Sequence, residues 1–138
     1  MREPAWVSPA AVLAIHQMLL AEHGGAKGLR DQKLLDSALA RPQHKFSYDE
    51  DVSIFSLAAS YSFGLARNHA FIDGNKRIAL TVAAVFLELN KYSLDAPEGE
   101  AVVVYKQLAD GSLSEDMLAE WFKSSSIRVT RPISKILS

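Results

Sequence analysis

The sequence predicts an all-α protein: a compact single-domain bundle of about six helices, with a polar loop between the two central helices carrying its chemistry. Three observations lead there. Apolar residues recur with a helical period along nearly the whole chain. The 138 residues suit one domain, since domains run to about 100–200 residues. A composition of 49% hydrophobic and 22% charged residues, with 7 Gly and 5 Pro, is that of a globular fold that holds its core without metal or disulfide staples. The domain is assigned to residues 1–138, with its core at about 8–123 and a tail at 124–138.

Each element follows from local chemistry. The first helix starts at Ser8, an N-cap followed by Pro9, buries Val12, Ile15, Met18 and Leu19, and stops near Gly24-Gly25. A second helix from about Asp31 to Arg41 places Leu34, Leu35, Ala38 and Leu39 on one side. Pro42 is expected to end it, leaving Gln43 to Asp51 as a polar loop that holds His44, Phe46 and Tyr48. From Val52 to about Arg67 apolar residues occupy several faces, as in a helix at the middle of a bundle; Asn75 to Asn90 reads the same way. A helix near Pro97 runs towards Ala109, where helix is preferred to a strand over Val102–Tyr105, and another runs from Ser114 to about Lys123. Ser124-Ser125-Ser126 opens a tail containing Pro132, without a period.

Charge and composition narrow the function. Fifteen Lys and Arg against sixteen Asp and Glu give a net charge of −1, so there is no general positive field to hold nucleic acid. Cysteine is absent, which excludes thiol nucleophiles and iron–sulfur ligation. Met1–Trp6 has no apolar export signal, and no apolar run reaches the ~18 residues of a spanning helix. The expectation is a soluble cytoplasmic protein without membrane contact. His16 and His23 lack the carboxylate and close spacing of a zinc-binding helix, and His44 is given no role.

The chemistry lies in His69-Ala70-Phe71-Ile72-Asp73-Gly74-Asn75-Lys76-Arg77, a polar segment joining the two core helices. Both of its ends are anchored, so the loop is pre-organised. Asp73-Gly74 supplies a turn, and Asn75, Lys76 and Arg77 fall in the first helical turn, where backbone N–H groups are unpaired and an anion is welcome. Cations at a helix N-terminus oppose its dipole by a few tenths to ~1 kcal/mol, a placement that makes sense if a multiply charged anion binds there. Asp73 suits Mg²⁺ on that anion, since magnesium takes one or two carboxylates plus substrate phosphates. A nucleoside triphosphate fits the set. His69 carries the segment's only imidazole, a group that exchanges protons near neutral pH and can deprotonate a hydroxyl. Phosphate-loop, dinucleotide and esterase motifs do not occur.

At these residues the sequence resembles the Fic/Doc superfamily, and within it the death-on-curing (Doc) toxins, whose motif H-x-F-x-[ND]-[AG]-N-K-R is matched at all specified positions. The resemblance extends to Gly28–Asp31, to Leu34–Pro42 and to Ala79–Leu87. It implies His69 as base, Phe71 as core anchor of the loop, and Asp73 as magnesium ligand. Gly74 and Asn75 become the phosphate cradle, Lys76 and Arg77 phosphate contacts, and Arg67 a further candidate for the cluster. The broader Fic pattern H-P-F-x-[DE]-G-N-G-R-x-x-R is broken at Lys76, which replaces a glycine that lets backbone approach the phosphates, and at Leu80, which replaces the last arginine. Both departures favour the Doc reaction, in which reversed ATP gives its γ-phosphate to a protein hydroxyl. The substrate that the resemblance implies is a threonine of elongation factor Tu, whose modification stops translation. The inhibitory [ST]-x-x-x-E-[GN] helix of many Fic enzymes does not occur, so restraint is expected from a Phd-like antitoxin. Fic-type AMP transfer and a non-enzymatic module that binds a partner helix are the alternatives.

Overall fold

The computed structural model describes residues 1–129. Among the described residues six helices form the bundle: α1 (Pro9–His23), α2 (Gln32–Tyr48), α3 (Ile54–Asn68), α4 (Asn75–Leu89), α5 (Glu98–Asp110) and α6 (Glu115–Ser125). Two short strands, β1 (Tyr92–Leu94) and β2 (Ser126–Arg128), pair antiparallel with Ser93 opposite Ile127. The predicted fold class holds.

Helix α3 is the axis. Leu57, Ala58, Ala59, Ser60, Tyr61 and Ser62 are all buried, and α2, α4 and α6 pack around it. Small residues set the spacing. A Cβ at Gly64 would lie 3.4 Å from both the Cα and the carbonyl oxygen of Ala38, so α2 and α3 meet backbone to backbone there. The Ser62 hydroxyl donates to the Ala79 carbonyl at 2.7 Å, which ties α3 to α4 through a buried bond. Phe86, Leu87, Ile78 and Val82 of α4 complete the core with Leu118 and Phe122 of α6.

The helix starts follow the sequence. Ser8, Asp31, Ser53 and Ser114 each accept a backbone N–H at an N-cap, and Ser53 forms a reciprocal capping box with Ser56.

Three expectations are corrected. Helix α2 does not stop at Pro42 but continues to Tyr48, so Gln43–Tyr48, His44 and Phe46 included, is helix and not loop. Tertiary contacts outweigh the proline penalty. Pro42 is itself buried, Phe46 packs edge-on against Trp6 with ring centroids 5.8 Å apart, and Arg41 and Lys45 both reach Glu115 of α6. Met18, expected in the core, is exposed, and the buried position beside it belongs to His16. The segment assigned to the tail begins within the fold: α6 takes in Ser124 and Ser125, and Ser126–Arg128 pairs with β1. Pro132 lies outside the described residues. No helix among the described residues is long and apolar enough to cross a membrane.

Candidate active site

The His69–Arg77 segment leaves α3 and enters α4 through a turn braced on three sides. His69 ends α3 in the left-handed conformation, φ 49° and ψ 48°, an uncommon state for a residue with a side chain. Arg30 holds it there, its Nε donating to the His69 carbonyl at 2.8 Å and its Nη2 to the Asn68 carbonyl at 3.2 Å. The segment next to Arg30 lies alongside the loop. Arg30 and Asp31 N–H groups donate to the Ala70 carbonyl, and Ile72 N–H donates to the Gly28 carbonyl.

Phe71 is buried, as the sequence implied. Asn75 clasps it from the next turn. The Asn75 Oδ1 accepts the Phe71 N–H at 3.0 Å, and its Nδ2 donates to the Phe71 carbonyl at 2.9 Å. The Asn75 side chain is therefore committed to shaping the loop, which leaves its backbone N–H as the group it could offer an anion. Gly74 takes φ 80° and starts α4 without any side-chain cap. The first intrahelical bond is that of Ile78 N–H to the Gly74 carbonyl, which leaves the N–H groups of the first turn free of helical partners.

Asp73 faces the same turn. Its Oδ1 accepts the Gly74 N–H at 2.8 Å and its Oδ2 the Ala26 N–H at 3.2 Å. A carboxylate has about four lone-pair sites, so both oxygens keep acceptor capacity. The Gly24–Ala26 loop comes close enough for this because residue 25 is glycine: with φ 125°, a Cβ there would sit 2.7 Å from the Asp73 Oδ2.

His69, Asp73, Gly74, Asn75, Lys76 and Arg77 all line one cleft of about 530 Å³. Its remaining wall is Ile72 with Val102, Tyr105 and Lys106 of α5, residues that no motif in the sequence singled out. Burial pushes the Tyr105 phenol well above the ordinary tyrosine range, against a smaller opposing effect of the Leu80 backbone, so its hydroxyl stays protonated. Leu80, which stands where the Fic pattern has an arginine, packs against the core.

Arg67 is not brought to the cleft. Its guanidinium lies over the Phe63 ring, 4.4 Å from the centroid, in a separate hollow on the other flank of His69 with Asp110 and Gly111. His16, weighed from the sequence only as a metal ligand beside His23, touches the loop directly; its place among Val12, Ile15 and Leu19 on the apolar face of α1 was the available signal. Among the described residues no group of three or more His, Cys, Asp and Glu side chains forms a metal cage.

The chain's sequence is similar to known proteins. Residues 6–87 match the model of the Fic/DOC family, and the chain belongs to that family. It is 32% identical over 115 residues to "Protein kinase doc" of Escherichia phage P1, covering 83% of this chain and 90% of the relative. It is also 45% identical over 74 residues to "Toxin Doc" of Mycolicibacterium smegmatis, covering 53% of this chain and 57% of that relative.

Proposed function

We propose that this protein is a Doc-type toxin, a kinase that uses Mg-ATP to phosphorylate a Ser or Thr hydroxyl of a translation protein, by resemblance elongation factor Tu. The observation that carries the reading is the shared cleft, in which His69 and Asp73 stand with Lys76 and Arg77 at the uncapped start of α4. The names of the two relatives support the toxin and kinase parts of it.

The site suits Mg-ATP on its own terms. Asp73 is the carboxylate of the cleft lining, and magnesium is commonly held by one such group together with substrate phosphates. Magnesium bound there would neutralise charge on the phosphates being separated. Lys76, Arg77 and the free N–H groups of the first α4 turn hold the phosphate oxygens. His69 takes the proton of the acceptor hydroxyl as its oxygen bonds to the γ-phosphorus; the bond from that phosphorus to the β–γ bridging oxygen breaks, and ADP leaves. Lys76 puts a long cationic side chain where a glycine would admit phosphate to the backbone, which favours γ-phosphoryl transfer over AMP transfer. The protein acts in the cytoplasm and is restrained by a Phd-like antitoxin.

The test is purified protein with Mg²⁺ and a bacterial lysate, using ATP labelled at the γ- or the α-phosphate, with His69→Ala as control. Label transferred from γ alone and lost in the variant is the expected result. Label from α would assign AMP transfer. No label from either, together with no Mg-ATP binding, would leave a non-enzymatic partner-binding module. Co-purification with the product of an adjacent small reading frame tests the antitoxin.

A further inference from the structure

The geometry points to His16 as a positioning residue for the active site, fixing the Asp73–Gly74 peptide from behind the loop; the inference rests on the kinase reading only for its effect on rate. His16 is one of three buried polar side chains among the described residues, with 4% of its surface exposed. A buried imidazole on the apolar stripe of a helix needs a polar partner, and this one finds it in the loop. Its Nε2 lies 2.8 Å from the Asp73 carbonyl oxygen. A carbonyl only accepts, so the Nε2 carries the proton and donates.

The ring is fixed on two further sides. It stacks on Phe71 with centroids 3.8 Å apart and planes 18° from parallel. The position of a Cβ on Gly74 would be 3.6 Å from its Nε2, so the imidazole lies against the backbone that starts α4. The Asp73–Gly74 peptide is therefore held at both ends: the His16 Nε2–H on its oxygen, and the Asp73 Oδ1 on its N–H. Rotating that peptide would turn the Asp73 carboxylate and the first free N–H groups of α4 together. His16 is not part of the cleft lining. It acts through the orientation of Asp73, as partners behind a metal ligand do.

Three variants and one spectrum test this on the full chain. His16→Phe keeps a ring on Phe71 and removes the donor; His16→Leu removes both; His16→Gln places an amide N–H near the position of Nε2. Loss of the donor is expected to lower kcat by roughly 10–100-fold and to raise the Mg²⁺ concentration needed for half-maximal rate. His16→Gln is expected to recover most of both, with melting temperatures showing all variants folded. A merely structural role would give losses that follow stability, with no rescue by Gln. Either that pattern or parental rates in His16→Phe would overturn the proposal. The imidazole ¹⁵N spectrum of the unsubstituted protein is independent of activity. The Nε2–H tautomer, with a coupling across the hydrogen bond to the Asp73 carbonyl carbon, is expected, and an Nδ1–H tautomer would overturn the assignment. If the unsubstituted protein transfers no phosphate, the kinase reading fails and the spectrum alone decides the role of His16.

Discussion

Arg30 donates two hydrogen bonds to the end of α3, one of them to the carbonyl of His69, the residue that leaves the helix in the left-handed conformation. The guanidinium sits at a helix C-terminus, where carbonyls are unpaired and a cation complements the dipole. It does two things at once: it caps α3 and it fixes the backbone from which the candidate base projects. Arg30→Ala is expected to lower stability by about 1–2 kcal/mol and phosphoryl transfer by roughly 10-fold or more. Arg30→Lys should recover part of the stability and little of the rate, because an ammonium cannot make the same fork. Urea denaturation and single-turnover rates measure the two effects separately.

The Asn75 clasp on Phe71 needs a donor and an acceptor on one side chain. Asn75→Asp keeps the acceptor for the Phe71 N–H and sets a second carboxylate oxygen against the Phe71 carbonyl. A loss of about 1–3 kcal/mol is expected, larger than for a surface substitution. It should appear as faster hydrogen exchange at Phe71 and Ile72.

Gly25→Ala tests how closely the Gly24–Ala26 loop must approach Asp73. The added methyl meets the Asp73 Oδ2 in a backbone conformation unfavourable to any side chain. A cost of about 1–3 kcal/mol is expected, with a raised Mg²⁺ requirement as the carboxylate is displaced. Gly24→Ala, a glycine with open space at its Cβ position, is the control for backbone strain alone. Equal Mg²⁺ dependence in the two variants would show that Asp73 is insensitive to the loop.

Glu115 ties α6 to the far half of α2. Burial by itself would raise its carboxyl, but hydrogen bonds from Lys45 and Arg41 and their charges outweigh it and hold the group below the ordinary range. A carboxylate whose affinity for protons falls on folding stabilises the fold above its unfolded pKa and loses that contribution as pH drops through the folded value. Glu115→Gln is expected to cost about 1–2 kcal/mol at pH 7. The gap between parent and variant should narrow below pH about 4.5, the ordinary value for the group. Denaturation at pH 7 and pH 3.5 checks it.

The sequence carried most of the bundle because its helices announce themselves through caps and period: Ser8, Asp31 and Ser114 cap at the expected starts, and Ser53 caps one residue beyond the start expected at Val52. Pro42 misled because its penalty is local while the compensation from Phe46, Arg41 and Lys45 is tertiary. The strand pair was hidden for a related reason. Three-residue strands have no period to detect, and Ser93 and Ile127 are 34 positions apart in the chain. At the site, the contiguous motif was legible because one loop supplies it. Tyr105, Lys106 and His16 were not, since the first two enter from α5 across the cleft and the third from α1 behind it. Arg67 shows the opposite failure: adjacent to the motif in sequence, it is drawn away by the face of Phe63.

The placement of Lys76 and Arg77 sets folding and function against each other. At the start of α4 their charges oppose the dipole, while both side chains are exposed and outside the packing of the core. Under the proposed function, phosphate binding in the cleft is what offsets that cost. Under the proposed function, a descendant that loses phosphoryl transfer by changing either residue is expected to keep its fold and the surfaces away from the cleft. Such an inert descendant would still compete with its active relatives for whatever binds those surfaces.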